Sequence, residues 1–198
     1  VRFRMKRTVP FDLESAAVSF YPQVVSGGKY QVVVVAAALE IVAKYEAPFR
    51  IAGFHPGIVT TSALASVDLE RRAGVNLIAK LSGRVLTISS VRDGNLKLVR
   101  CLEVSELTYE DVTGVLFPTV AFVEDVEAVK PSRLSLCGFG DIAQRHAEAW
   151  ESELGMQVGS LRSPIATAEP FNSGLLGYLE SFSRGAVMAP TATGASAA

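Results

Sequence analysis

The chain has 198 residues, of which 49% are hydrophobic and 20% are charged, and its formal net charge is −1. This composition excludes disorder over most of the chain, and the balanced charge gives no electrostatic footprint for nucleic acid. Cys101 and Cys137 belong to no C-x-x-C motif. That argues against a zinc site or a disulfide framework and favours a reduced, cytoplasmic setting. The longest apolar run, residues 32–39, is far shorter than the roughly 20 residues that cross a bilayer.

The first segment is basic and ends at Pro10. Four of its first seven residues are arginine or lysine. Because no clear apolar stripe accompanies them, they favour a solvated helix face over a membrane or phosphate patch. Since Val1 is not a methionine and this segment reads as the middle of a domain, we expect a fragment or a processed chain.

Two strands joined by a glycine turn are predicted next. Residues 17–25 alternate loosely, and Pro22 favours an edge position because proline cannot donate to a ladder. Residues 26–29, with two glycines, form the turn. Residues 30–36 are rich in valine, a pattern typical of a strand buried on both faces.

Two helices separated by a short strand are predicted next. Residues 39–52 predict a helix, with Gly53 at the position after its end. Residues 54–59 predict a short strand. Residues 60–69 predict a second helix, capped by one of the two threonines at 60 and 61.

We place a domain boundary at the Arg71-Arg72-Ala73-Gly74 segment. Residues 1–72 then form a partial first domain, and residues 73–184 form a second one. Residues 185–198 are rich in alanine, threonine and glycine, and we expect them to be a disordered tail.

The second domain begins with three strands in close succession. Residues 75–80 predict the first, residues 85–91 alternate as the second, and residues 96–104 alternate as the third. Asp93-Gly94 lies between the last two and is a strong hairpin turn signal. This pattern predicts an antiparallel meander.

Two helices and two further strands complete a β-β-β-α-β-α-β unit. The predicted elements are a helix from Thr108 containing Pro118, a strand over residues 133–137, a turn at Gly138-Phe139-Gly140, a helix from Asp141 to Leu154 capped by Asp141, a strand over residues 156–158 and a closing helix over residues 175–183. The apolar stripe of the first helix and the glycine after the second support these bounds.

No complete catalytic set accompanies this unit. His146 lies on an apolar helix face and is interpreted as a core residue, His55 as a turn residue, and Trp150 as part of the core. The carboxylates are interpreted as helix caps and a solvated face: Glu106, Glu110, Asp111, Glu124, Asp125 and Glu127. The first meander strand carries no carboxylate, which argues against a two-metal nuclease.

The order of these elements is that of a ribonuclease-H-like half-domain, two of which make the actin-like fold. Four stretches add to this: residues 8–14 (TVPFDLE), residues 30–40 (YQVVVVAAALE), residues 45–64 with RIAGFHPGIVTTSAL, and residues 134–161 beginning LSLCGFG. In this order and spacing they resemble the PilM family of type IV pilus assembly proteins, an actin-like group. The resemblance implies an α/β, actin-like fold.

The resemblance also implies where a nucleotide site would lie. A second phosphate loop would fall at residues 79–81, where Ala79 stands in place of the family's Asp and Leu81 in place of its Gly. Gly138, Phe139 and Gly140 would be the turn that faces an adenosine. We therefore assign no cofactor to this chain, and ATP with magnesium is the alternative for a full-length protein.

The function implied is that of a cytoplasmic scaffold of a type IV pilus or related secretion system, peripheral to the inner membrane. It would bind the short cytoplasmic tail of an inner-membrane partner in a groove near Val9, Phe11 and Leu13. One alternative is an actin-like ATPase or sugar-kinase-like enzyme whose catalytic half is missing here. A second alternative is a polymerising cell-division actin homologue. A homodimer that closes an exposed strand edge is a further expectation.

Overall fold

The structure, a computed structural model, describes residues 5, 6, 8–25 and 29–183. The chain divides into two compact units between Thr60 and Thr61. The first unit contains β1 (Ala16–Val25), β2 (Lys29–Ala38) and α1 (Leu39–Ile51). The second contains α2 (Ser62–Ser66), a 3-10 turn (Val67–Leu69), β3 (Val75–Ser82), β4 (Val85–Arg92), β5 (Asn95–Glu103), α3 (Tyr109–Glu127), β6 (Arg133–Cys137), α4 (Asp141–Leu154), β7 (Gln157–Ser160) and α5 (Ser173–Ser183).

The first unit is an antiparallel hairpin followed directly by a helix. β1 and β2 pair in continuous register over their whole length. The predicted turn at 26–28 lies outside the described residues, as does most of the basic first segment. α1 continues through Pro48, and Gly53 follows its end with φ +84°. Glycine suits that position because it adopts a left-handed backbone without strain.

The prediction that residues 30–36 are buried on both faces is wrong. In the described chain β2 pairs only with β1, and Tyr30, Val32 and Val35 are all exposed, Tyr30 by 69%. Valine favours an extended backbone wherever it lies, whereas burial requires layers on both sides of the strand. The described part of a two-stranded ribbon provides no such layers.

The strand predicted over residues 54–59 is also wrong, because this segment is irregular. Its His-Pro-Gly centre lacks one backbone donor and carries a glycine, which both disfavour a ladder. The predicted threonine cap of the following helix is confirmed. The Thr61 hydroxyl accepts a hydrogen bond from the Leu64 amide (3.2 Å) and caps α2.

The second unit is built on a five-stranded sheet in the order β5-β4-β3-β6-β7. The first three strands form the predicted antiparallel meander, and β6 and β7 join in parallel. Asp93 and Gly94 both have positive φ, as a type I′ hairpin turn requires. The β-β-β-α-β-α-β order is therefore confirmed.

Helices cover both faces of this sheet. On one face α3 and α4 pack over the odd-numbered residues of β3 and enclose the main core, which includes Leu77, Leu116, Leu134 and Trp150. On the other face the 3-10 turn and α5 pack over Ile78 and Cys137. Alternation along β3 thus sends neighbouring residues into different cores.

Two helix starts show how well the sequence predicts caps. The Thr108 hydroxyl accepts from the Asp111 amide (3.2 Å) and caps α3, so the predicted start of this helix at Thr108 is confirmed as its N-cap. Asp141 does not cap α4, because the N-cap is Gly140 and Asp141 is the first helical residue. The predicted cap is therefore shifted by one position.

An ion pair and a hydrogen bond connect residues 70–72 to the rest of the second unit. The buried Glu70 carboxylate accepts from the Arg72 guanidinium (3.1 Å) and from the Ser135 hydroxyl (3.1 Å). Arg71 forms an ion pair with the buried Glu180 carboxylate. The compact units therefore divide before the predicted boundary after residue 72, while the end of an actin-like domain at that residue stays a prediction. The expected tail lies outside the described residues.

Candidate functional site

The candidate site lies where the parallel strands β3 and β6 end. Lys80 of β3 lies opposite Cys137 of β6, and the chain turns at Gly138. In open α/β sheets, ligands bind outside the carboxyl ends of the strands. The predicted nucleotide residues and the predicted phosphate-loop residues both fall at this edge.

Gly138 and Leu81 are in direct contact. Gly138 has φ +85°, and a Cβ atom added to it would lie 2.2 Å from the Leu81 carbonyl oxygen and 3.2 Å from the Pro170 Cβ atom. The structure therefore brings two predicted site residues together. The absence of a side chain at Gly138 is required by the protein's own backbone.

Phe139 points away from solvent. It belongs to the main core, and its ring meets the Trp150 ring edge-on with 5.9 Å between centroids. This contact anchors the turn and gives Phe139 a packing role. Gly140 has φ +49° and no atom within 4 Å of an added Cβ, so it alone of the three faces open space.

Ala79 and Leu81 are buried in the main core beneath α3 and α4. Both belong to β3 and pair in register with Ile88 and Leu86 of β4. The hairpin turn comes after them, at Gly83 with φ +60°. These positions therefore supply neither a carboxylate to hold metal-bound water nor a glycine for close approach to phosphate, and they do not fit a metal-bound nucleotide.

Lys80, which the sequence reasoning did not single out, points to the opposite face. Only 2% of its surface is exposed. Its ammonium donates to the Pro170 carbonyl oxygen (2.7 Å) and to the Ser82 hydroxyl (3.1 Å). A single charged residue inside an otherwise uncharged strand was the available signal, because a buried charge needs specific hydrogen-bond partners.

The thiol of Cys137, opposite Lys80, is unreactive because of its surroundings. Cys137 is free and buried. Burial raises the pKa of the Cys137 thiol, and the charge of Lys80 acts in the opposite direction. A reactive thiol requires a lowered pKa and solvent access, so Cys137 does not have the properties of a nucleophile.

The predicted partner-groove residues belong to the first unit. Leu13 is buried, Val9 is half-buried and Phe11 is exposed. The Asp12 carboxylate accepts a hydrogen bond from the Glu14 amide (3.1 Å), and this bond closes a local turn just before β1. This turn holds Leu13 inward and leaves Phe11 on the surface.

The remaining titratable residues in the described part of the chain do not come together as a catalytic set. His146 packs against Tyr109 with ring centroids 4.7 Å apart, and His55 lies in the irregular segment. Trp150 is in the core as predicted, and its indole N–H donates to the Thr113 hydroxyl (2.8 Å). Within the described residues, no group of His, Cys, Asp and Glu side chains could hold a metal ion, and no helix is long and apolar enough to cross a membrane.

No protein-family model matches the sequence, and no curated protein matches it. The structure is similar to a chain solved in a "PilM-PilN type IV pilus biogenesis complex", with a TM-score of 0.67 and 20% sequence identity, covering 90% of this chain and 70% of that one. The chain has an actin-like fold. A Bacteroides thetaiotaomicron protein "with actin-like ATPase fold and unknown function" is similar with a TM-score of 0.50 and 11% identity, over 79% of this chain and 58% of that one. The predicted fold class is confirmed.

Proposed function

We propose that this chain is an actin-like scaffold of a type IV pilus or related secretion system. It binds the short cytoplasmic tail of an inner-membrane partner and lies at the cytoplasmic face of that membrane. The observation that carries this proposal is the likeness to a chain of the pilus complex over 90% of the present chain. The fold alone does not imply this role, so it needs a binding test.

The residues at the sheet edge favour a scaffold over an enzyme. An actin-like ATPase or a sugar-kinase-like enzyme would need an acidic side chain and a close-approach glycine where this chain has Ala79 and Leu81. Both are instead core residues. Gly138 is in contact with the Leu81 carbonyl, so its glycine is explained without a ligand.

We place the partner tail on the first unit, near Val9, Phe11 and Leu13. The buried Leu13 anchors this segment, while the exposed Phe11 presents an aromatic ring to a partner. Exposed aromatic residues are the usual anchors of protein interfaces, because they bury a large area with few rotatable bonds. Peptide recognition, not chemistry, is the mechanism that this surface supports.

The test is a titration of the full chain with a labelled peptide. The peptide is the cytoplasmic tail of the inner-membrane pilus protein encoded nearest to this chain, and the readout is fluorescence anisotropy. We expect saturable binding that Phe11→Ala weakens about tenfold. Phe171→Ala is the matched control, because Phe171 is 85% exposed on the second unit and should leave affinity unchanged.

Two results would reject the proposal. One is the absence of binding by the full chain at any accessible concentration. The other is binding that both phenylalanine variants weaken equally, since that would indicate non-specific contact with exposed aromatic surface.

A further inference from the structure

Lys80 lies between Ala79 and Leu81, the two positions at which the resemblance to the PilM family implies a phosphate loop, and its ammonium is bonded within the protein. Its ammonium joins two parts of the second unit. It belongs to β3, and it binds the Ser82 hydroxyl at the end of that strand and the Pro170 carbonyl of the segment before α5. A buried ammonium is retained only where such partners compensate its lost hydration.

The segment held by this lysine continues into α5. The Asn172 and Ser173 amides both donate to the Glu169 carbonyl, at 3.3 and 2.9 Å. Pro170 also lies against Gly138, with its Cβ 3.2 Å from where a side chain would begin. The Lys80 contact thus fastens the start of α5 over the ends of β3 and β6.

We propose that Lys80 ties the segment before α5 to the end of β3, and that this contact orders the ends of β3 and β6 where the resemblance implies a nucleotide. In consequence, the second unit is ordered without nucleotide, and binding of the partner tail does not depend on it. The misfit of this site to the nucleotide that the resemblance implies is therefore a property of this chain, and it results from Lys80 and Pro170 together with the apolar Ala79 and Leu81.

The alternative use of a lysine in this place is to bind phosphate as a point charge. The geometry argues against it, because 2% exposure leaves no room for an anion without moving Pro170. A nucleotide that bound through Lys80 would have to break the 2.7 Å contact to the Pro170 carbonyl. A Lys80 that binds phosphate and a Lys80 that holds Pro170 therefore predict different responses of the segment before α5 to nucleotide.

Amide hydrogen exchange of the full chain, followed by mass spectrometry, separates them. We expect millimolar Mg-ATP to leave the exchange of residues 79–82, 138–140 and 169–176 unchanged in the wild-type chain. We expect Lys80→Met to accelerate exchange over residues 169–176 by roughly tenfold, because the loss of a charge-assisted hydrogen bond frees that segment. Lys44→Met, which removes an exposed ammonium from α1, is the control and should change nothing there.

Slower exchange at residues 79–82 and 138–140 upon addition of Mg-ATP would overturn the proposal. So would a Lys80→Met variant whose residues 169–176 exchange no faster than wild type. If Lys80→Met does not fold, Ser82→Ala removes one partner of the ammonium at smaller cost, and it should accelerate exchange over the same segment by a smaller factor. An unchanged Ser82→Ala profile in that event would count against the link.

The part of this inference that concerns the partner rests on the proposed function and is tested separately. The peptide titration is repeated with and without Mg-ATP, and we expect equal affinities. A nucleotide-dependent affinity would overturn the inference while supporting the scaffold. Failure of the peptide to bind at all would reject the proposed function, and the exchange experiment would still decide the role of Lys80.

Discussion

Gly138→Ala should destabilise the second unit far more than an ordinary glycine substitution. Gly138 has φ +85°, and its added Cβ atom would lie 2.2 Å from the Leu81 carbonyl oxygen. An ordinary van der Waals contact of a Cβ atom begins at 3.4 Å, so the end of β3 or the turn must move by about 1.2 Å. The added Cβ atom would also lie 3.2 Å from the Pro170 Cβ atom, which is tighter than an ordinary contact.

The expected magnitude has two contributions. A left-handed backbone costs an L-residue about 1 kcal/mol, and forcing one extra methyl group into a packed site costs about 1–3 kcal/mol more. We therefore expect Gly138→Ala to lower the free energy of unfolding by about 3 kcal/mol, which is about 6–12 °C in melting temperature for a domain of this size. Gly83→Ala is the matched control. Gly83 has φ +60° and no atom near its added Cβ, so it should cost about 1 kcal/mol.

The assay is urea unfolding followed by tryptophan fluorescence. The chain has a single tryptophan, and Trp150 is fully buried in the main core of the second unit. Its signal therefore reports the unit that contains both glycines, whatever the first unit does. Equal losses for Gly138→Ala and Gly83→Ala would refute the close approach of Gly138 to Leu81, and with it the explanation of this glycine by protein contact.

Two further predictions concern the same unit. Thr113→Val should leave the Trp150 indole N–H without its 2.8 Å acceptor, lowering the unfolding free energy by about 1 kcal/mol and shifting tryptophan emission, while an unshifted spectrum would show that the bond does not form in solution. In the native chain a thiol reagent should modify the exposed Cys101 and spare Cys137, with both reacting in denaturant. Because burial raises the pKa of the Cys137 thiol, the stability linked to it is present below the ordinary thiol pKa and lost as pH rises through the raised one. Cys137→Ala should thus reduce the alkaline loss of stability, and an unchanged pH profile would contradict this.

Much of the second unit could be predicted because its signals are local. The Asp93-Gly94 turn, the period-two strands beside it and the Thr108 cap each follow from backbone preferences within a few residues. The first unit was predicted less well. Its valine run forms β2 as expected, but its burial depends on what lies on both faces of the strand, which no local pattern reports.

The features of the candidate site also separate into those that follow from residue identity and those that depend on tertiary packing. The sequence by itself determined that Ala79 and Leu81 cannot supply a carboxylate or a close-approach glycine, since this depends on residue identity alone. Only the tertiary structure decided what replaces them. Because side chains alternate along β3, Ala79 and Leu81 face one core and Lys80 faces the other side of the sheet. Pro170, ninety residues away in the chain, supplies the carbonyl that makes a buried ammonium tolerable, and a partner so distant in sequence is fixed by the packing of α5 on the sheet.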